Sequence, residues 1–291
     1  MKTTTPVTIA CFGEILWDIL PAGELPGGAP MNVAYHLKQL GHEPALITRI
    51  GADARGKQLL RRLEAKQIDV SLIQTDPETP TGIVNAFRSP SGDMTYDIVA
   101  PAAWDNISLD EGVAHAAKNA AYFVYGSLVT RQAMSRETLL KLLPDTGKRV
   151  FDINLRAPFV DQAVIEQLLL YADILKMNED ELQIVSNWYG QAGGLKERAL
   201  HLAARFNIDQ IIVTQGANGC TALIDKEWVR QEGIKVTVAD TIGSGDAFLA
   251  AYLSSLINGR NAADAIAFAT RLGAFVATQQ GAWPDYNAAD I

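Results

Sequence analysis

Residues 240–246 read D-T-I-G-S-G-D and run directly into the apolar, alanine-rich stretch A-F-L-A-A-Y-L. A helix start is electropositive, because its first backbone N–H groups have no intrahelical partner. Gly243, Ser244 and Gly245 aim such groups outward, and the glycines let an incoming group approach the backbone, so the turn reads as an anion cradle. Asp246 closes it. A carboxylate beside an anion site repels the ligand unless it has a chemical task; the alternative is an acidic first-turn residue favoured by the helix dipole.

An anion cradle with an acid invites comparison with phosphoryl transfer, which needs a positioned nucleophile, donors or metal on the moving phosphate, and a site for the second substrate. K-M-N-E-D-E (176–181) puts Asn178 and Glu181 on one helix face, where with Mg²⁺ and its waters they could engage nucleotide phosphates. The same spacing is a capping box that requires no ligand. In T-Q-G-A-N-G (214–219), Thr214 ends a strand, and Asn218 and Gly219 make a good hairpin turn. Gly216 is not explained by the turn and would give a nucleotide access to the backbone. In G-G-A-P-M-N (27–32), Pro30 starts a helix, Gly28 permits close approach, and Asn32 offers a donor and an acceptor to sugar hydroxyls. Asp18, in L-W-D, adds an acceptor.

The elements that must hold these residues alternate between β-branched apolar runs and helical patterns, the mark of a βαβ chain with a largely parallel sheet. Strands are expected at 7–13, 45–50, 121–125, 149–153, 173–177 and 211–214, and two helices in succession at 244–258 and 262–280. Residues 14–28 and 81–98 break the rhythm: both are strand-like and turn-rich with no intervening helix. Together they predict a small separate sheet, a lid inserted into one α/β domain spanning 1–291, with a pair of surface hairpins as the simpler alternative.

Composition narrows the function class. The 291 residues are 48% hydrophobic and 20% charged, normal for a globular enzyme or binding protein. A formal charge of −8 argues against a nucleic-acid binder, and no apolar run is long enough to cross a bilayer, so no membrane partner is expected. The start M-K-T-T-T-P lacks a secretory signal's apolar core, and Cys11 and Cys220 define neither a disulfide framework nor a zinc site. The expected location is cytoplasmic.

Taken in order, these pieces resemble the ribokinase-like (PfkB) family of ATP-dependent sugar kinases. The resemblance covers residues 7 to 284 or so and rests on G-E-I-L-W-D (13–18), G-G-A-P-M-N, I-G-A-D-A-R-G (50–56), P-T-G (80–82), D-I-N-L-R (152–156), N-E-D-E, T-Q-G-A-N-G and, most specifically, D-T-I-G-S-G-D. It implies a three-layer α/β sandwich with a mainly parallel central sheet and a small β-sheet lid. By position, Asp246 matches the catalytic base and Gly243, Ser244 and Gly245 the anion hole; Asn178 and Glu181 match the magnesium and phosphate element. Thr214, Gly216, Asn218 and Gly219 match the ATP-side turn, and Asp18, Gly28 and Asn32 match sugar contacts. Asp240 and Gly281 match a potassium site beside the anion hole. ATP, Mg²⁺ and, in many members, K⁺ are implied, with a small sugar as acceptor. The ordinary aspartate pKa of ~3.9 is expected for Asp246.

Ribokinases carry a glutamate where this chain has Y-G-S (125–127), so Gly126 points away from ribose, and G-S with D-I-N-L-R resembles the fructokinase branch instead. The tryptophan usual in that branch soon after the arginine is absent. A sugar acid such as 2-keto-3-deoxygluconate is the alternative acceptor, its carboxylate held by Arg156 or by Arg88 on the lid, with another sugar or a nucleoside as a further alternative within the family. A non-catalytic sugar or nucleotide sensor on the same fold is the alternative of another class; the presence of Asp246 speaks against it. A dinucleotide-binding oxidoreductase lacks its G-x-G-x-x-G after the first strand. Leu16, Trp17 and Ile19, taken as exposed on the lid, would suit a homodimer formed through paired lids, or else pack within one chain.

Overall fold

The computed structural model describes residues 9–21, 23–88 and 94–291, without the side chains of residues 88, 94 and 95. Residues 7 and 8 of the expected first strand, 22 of the first lid segment, 89–93 of the second and the side chain of Arg88 therefore lie outside the described residues. The strands are β1 (Ile9–Phe12), β2 (Leu16–Leu20), β3 (Gly23–Gly27), β4 (Pro44–Gly51), β5 (Ile73–Asp76), β6 (Gly82–Arg88), β7 (Met94–Ile98), β8 (Tyr122–Gly126), β9 (Lys148–Asp152), β10 (Ile174–Asn178), β11 (Gln210–Thr214), β12 (Cys220–Ile224) and β13 (Glu227–Gln231). The helices are α1 (Ala29–Gln39), α2 (Ala54–Ala65), α3 (Glu111–Asn119), α4 (Ala133–Leu142), α5 (Gln162–Leu169), α6 (Glu179–Trp188), α7 (Leu195–Phe206), α8 (Ser244–Ile257) and α9 (Ala262–Ala277).

Nine strands form one sheet in the order β13-β12-β11-β10-β9-β8-β1-β4-β5, parallel from β11 to β5 and antiparallel at the β12–β13 edge. Its strands read as near-continuous apolar runs because both faces are covered. Alternate residues of β1 go to opposite layers: Ile9 and Cys11 join Met31, Tyr35 and the alanine-rich α8 on one side. Ala10 and Phe12 join Phe123, Phe151 and Leu182 on the other. The three-layer sandwich thus follows from the period-2 pattern of strands buried on both faces. In α8, Ala247, Ala250 and Ala251 are fully buried, and the helix packs between α1 and α9, whose backbones can come close because those side chains are small.

The two irregular segments pair as expected into a second sheet of order β3-β2-β6-β7. Within it β2 and β6 run parallel with Asp18 opposite Val84, so segments more than sixty positions apart are fixed in one register. The exposure expected for its apolar residues is overturned. Leu16 and Trp17 are buried, the Trp17 indole N–H donates to the Arg55 carbonyl at 3.2 Å, and the Arg62 guanidinium lies 5.0 Å from the indole ring. Helix α2 covers this side of the sheet, so these two residues pack within the chain and form no exposed dimer surface. Ile19 is half-buried and packs against the same core. A buried pair fastens the far end of the lid: Arg131 binds Asp105 through two nitrogens, at 2.7 and 2.8 Å, and also donates to the carbonyls of Ile98 and Val99.

No helix among the described residues is long and apolar enough to cross a membrane, and both cysteines are free and buried.

Candidate active site

Every parallel strand from β1 to β11 ends at the same edge of the central sheet, where open α/β sheets ordinarily bind ligands. Two register pairs set the frame there: Gly126 lies beside Asp152, and Asn178 beside Thr214. The β2-β6 face of the lid stands over this edge. Between them lies a cleft of about 670 Å³ lined by, among others, Asp18, Gly28, Asn32, Arg156, Asn178, Glu181, Thr214, Gly243, Gly245 and Asp246. Ten of the sequence-predicted residues are thereby brought to one cavity.

Asp246 stands in the first turn of α8. Gly243 precedes that helix with φ 76°, and a Cβ there would fall 2.4 Å from the Ala282 side chain, so only glycine closes this turn against the C-terminal loop. Asp246 Oδ2 accepts a hydrogen bond from Asn32 Nδ2 at 2.8 Å. Its pKa is not the ordinary one expected from sequence: burial first, then the neighbouring Asp152, push it up to about 6, against the opposing pull of Lys176, Asn32 and Arg156. Ser244 departs from its expected place. Its hydroxyl donates to the Gly273 carbonyl of α9 at 2.9 Å and its N–H to the Thr241 carbonyl at 3.3 Å, so it braces the turn and does not line the cleft.

Asn178 and Glu181 form the capping box in full. Asn178 Oδ1 accepts from the Glu181 N–H and Glu181 Oε2 from the Asn178 N–H, each at 2.8 Å. Glu181 Oε1 accepts a third N–H, that of Leu155, also at 2.8 Å, which ties the strand end after β9 to the start of α6. Burial raises the Glu181 pKa despite these bonds. Each oxygen has spent one lone-pair direction and keeps another for water.

Among the described residues no group of three or more His, Cys, Asp or Glu side chains is placed to hold a metal ion. The cleft therefore fits a divalent ion only in the manner of Mg²⁺ carried by phosphates, with water and one or two carboxylates completing its shell. Glu181 lines the cleft with a lone-pair direction left on each oxygen and is available for that role, whereas the Asp152 carboxylate is taken up by Lys176.

Thr214 lines the cleft, whereas Gly216 and Asn218 form a tight turn beside it and Gly219, at φ 93°, leads into β12. Asp240 and Gly281 meet as expected: the Gly281 N–H donates to Asp240 Oδ2 at 3.1 Å, and the Ile242 N–H to Oδ1 at 3.0 Å. They lie beside the α8 turn rather than in the cleft wall. Arg156 lines the cleft and is in no ion pair among the described residues. Asp18, on the lid, is raised to about 6, mainly by burial, with Arg156 opposing and Asp240 and Asp246 adding to the shift.

A scan against family profiles matches residues 22–288 to the pfkB family carbohydrate kinases. The chain belongs to this family. As a pfkB carbohydrate kinase it is an ATP-dependent phosphotransferase with an alcohol acceptor, and its relatives lie on the fructokinase-like side of the family. It is 28% identical over 290 residues to a fructokinase of Klebsiella pneumoniae, covering 93% of each chain. Its fold superimposes with a TM-score of 0.82 on the fructokinase of Vibrio cholerae, solved with fructose, ADP and a calcium ion; the two are 25% identical, with 95% of this chain and 94% of that one covered. An uncharacterized sugar kinase of Pyrococcus horikoshii gives a TM-score of 0.84 at 25% identity, covering 97% of this kinase and 96% of that one.

Three cleft residues of the kinase went unrecognised in sequence. Glu14 is 2% exposed; its Oε1 accepts the Ala29 N–H at 3.2 Å, and its buried Oε2 has no hydrogen-bond partner among the described residues. Burial, with a further push from Asp246, takes its pKa up to about 7, against backbone N–H groups and Arg156. Lys176 and Asp152 make a buried ion pair at 2.7 Å. Burial favours the neutral amine, but Asp152, Asp246 and Glu181 together outweigh it and hold the Lys176 pKa above its usual value. A lysine in the buried strand I-L-K-M-N beside an aspartate ending V-F-D was the available signal, since charges in sheet interiors need partners.

Proposed function

We propose that this kinase transfers the γ-phosphoryl group of ATP to the terminal primary hydroxyl of fructose, with Asp246 accepting the hydroxyl proton. The observation that carries the reading is the Asp246 carboxylate: buried, raised to about 6, oriented by Asn32 and lying at the start of α8 within the cleft. A base with that pKa is ionised near neutrality yet binds a proton more readily than an ordinary aspartate. Asp18, Gly28 and Asn32 hold the sugar hydroxyls, and the lid that carries Asp18 excludes water that would otherwise compete as acceptor.

Charge growing on the transferring group meets the N–H groups of the α8 start at Gly243, Gly245 and Asp246, with the Lys176 ammonium directly behind: a Cβ at Gly245 would lie only 3.3 Å from its Nζ. Asn178 and Glu181 face the nucleotide phosphates, and Thr214 with the Gly216–Gly219 turn borders the nucleotide. Bound Mg²⁺, held through the phosphates with Glu181 reaching it through water, supplies neutralisation of phosphate charge. Asp240 with the backbone at Gly281 is the proposed K⁺ position. A cytoplasmic location and a lid-mediated homodimer complete the reading; the dimer would have to use lid residues other than the buried Leu16 and Trp17, such as Phe87, which is 48% exposed.

One observation favours a second acceptor. Arg156 lines the cleft, is in no ion pair among the described residues, and could bind the carboxylate of 2-keto-3-deoxygluconate. Coupled measurement of ADP release against hexoses, ketoses, nucleosides and sugar acids separates the two. Fructose is expected to give the highest kcat/KM. A tenfold advantage for 2-keto-3-deoxygluconate that Arg156→Gln abolishes, with an unchanged melting temperature, replaces the fructose assignment with the sugar acid.

A further inference from the structure

We infer that Trp283 is a positioning residue for the proton-accepting carboxylate, acting through Asn32; this rests on the assignment of Asp246 as the base. The Trp283 indole N–H donates to Asn32 Oδ1 at 2.9 Å, and Asn32 Nδ2 donates to Asp246 Oδ2 at 2.8 Å. An indole nitrogen is only a donor, so the atom facing it must be the amide oxygen of Asn32. The amide NH₂ is then turned to Asp246, and one end of the asparagine decides what the other presents. Without the indole N–H, a half-turn of the amide would bring its oxygen against the carboxylate. The carbonyl of Asn32 is correspondingly engaged, and what Asn32 can offer a sugar is its second N–H.

Trp283 is itself held firmly. Its ring lies face to face with Tyr35, centroids 5.0 Å apart and planes within 1°. The loop carrying it is fixed to α1, which also carries Asn32: Tyr35 donates to the Pro284 carbonyl at 2.9 Å, and His36 Nε2 is 3.0 Å from the Ala282 carbonyl. A carbonyl can only accept, so His36 is protonated at Nε2 and receives the Tyr286 hydroxyl at Nδ1, 3.0 Å away. The chain's last loop and its first helix therefore form one unit that sets the amide's orientation.

Trp283→Phe keeps the stacking and removes only the donor. The charged groups facing Asp246 (Glu14, Asp18, Asp152, Arg156 and Lys176) stay in place, so the one change is that Asn32 loses the bond fixing its amide, and with it the assured donation that favours the ionised form of Asp246. The acid limb of the kcat profile is expected to move to higher pH, with kcat at pH 6.5 falling about three- to tenfold and KM for ATP unchanged. Trp283→His, which retains a ring N–H, should lie nearer the parent. A lower melting temperature with an unmoved pH profile overturns the inference, as does a parental profile. Should Trp283→Phe fail to fold, a benzothienyl analogue introduced at 283 by nonsense suppression preserves the ring outline without the N–H, and the same two outcomes decide. Asp246→Asn, run in parallel, separates the two failures: an active Asp246→Asn removes the base assignment itself, whereas an inactive one beside a parental Trp283→Phe removes only this inference.

Discussion

The Lys176 ammonium and the Asp152 carboxylate, one from the middle of β10 and one from the end of β9, meet at 2.7 Å beneath Gly245 in the first turn of α8. Their pairing keeps a cation fixed in a cleft wall that also carries Glu14, Asp18, Glu181 and Asp246. Removing one partner of a buried pair leaves an uncompensated charge. Lys176→Met should lose about 3–5 kcal/mol of stability by denaturant unfolding. It should also move the acid limb of kcat to higher pH, since the cation holds the Asp246 pKa down. A parental melt with a parental pH profile would show that the pair is idle.

The cleft carboxylates make a second prediction, about stability of the unliganded protein. Glu14 is raised to about 7, and Asp18 and Asp246 to about 6. Each binds its proton more tightly in the folded chain than in the unfolded one. Between the ordinary carboxylate range and pH 6–7 the folded state therefore holds more protons, and stability falls as pH rises. The loss is on the order of 3 kcal/mol per group and is complete only by about pH 8, a unit above the raised Glu14 pKa. Unfolding at pH 4 and pH 8 checks it, and Glu14→Gln should show a smaller drop than the parent. An identical drop in the two proteins would remove Glu14 from this role.

Glu181 combines a cap with a cleft position. Glu181→Gln weakens the bonds its carboxylate accepts from the Asn178 and Leu155 N–H groups, so a stability loss of about 0.5–2 kcal/mol is expected. The Mg²⁺ concentration giving half-maximal rate should rise more than KM for the sugar. Metal titration beside a thermal melt reads both, and a stability loss with unchanged metal dependence would reduce Glu181 to a cap.

What could be read in sequence was local. The α8 start, the N-x-x-E cap and the alternation of apolar strands with helices each depend on residues within a few positions, and all appear where their spacing put them. The missing parts depend on distant pairings. Asn32 meets Asp246 across 214 positions and Trp283 across 251, and no periodicity connects them. Trp17 looked exposed because a short irregular hairpin gives no sign of what covers it; the cover is α2, and Arg55 and Arg62 lie well downstream. The Asp246 pKa depends on burial and on Asp152, neither of which is visible in G-S-G-D.

The most direct measurement is the turnover of Asp246→Asn with fructose and ATP, alongside its melt and its affinity for ATP. The substitution preserves side-chain shape and leaves an oxygen to accept from Asn32, while removing the proton acceptor. A fall in kcat of ~10² or more, with folding and ATP binding nearly intact, is the predicted result. Activity within about threefold of the parent would contradict the role of Asp246 in proton transfer.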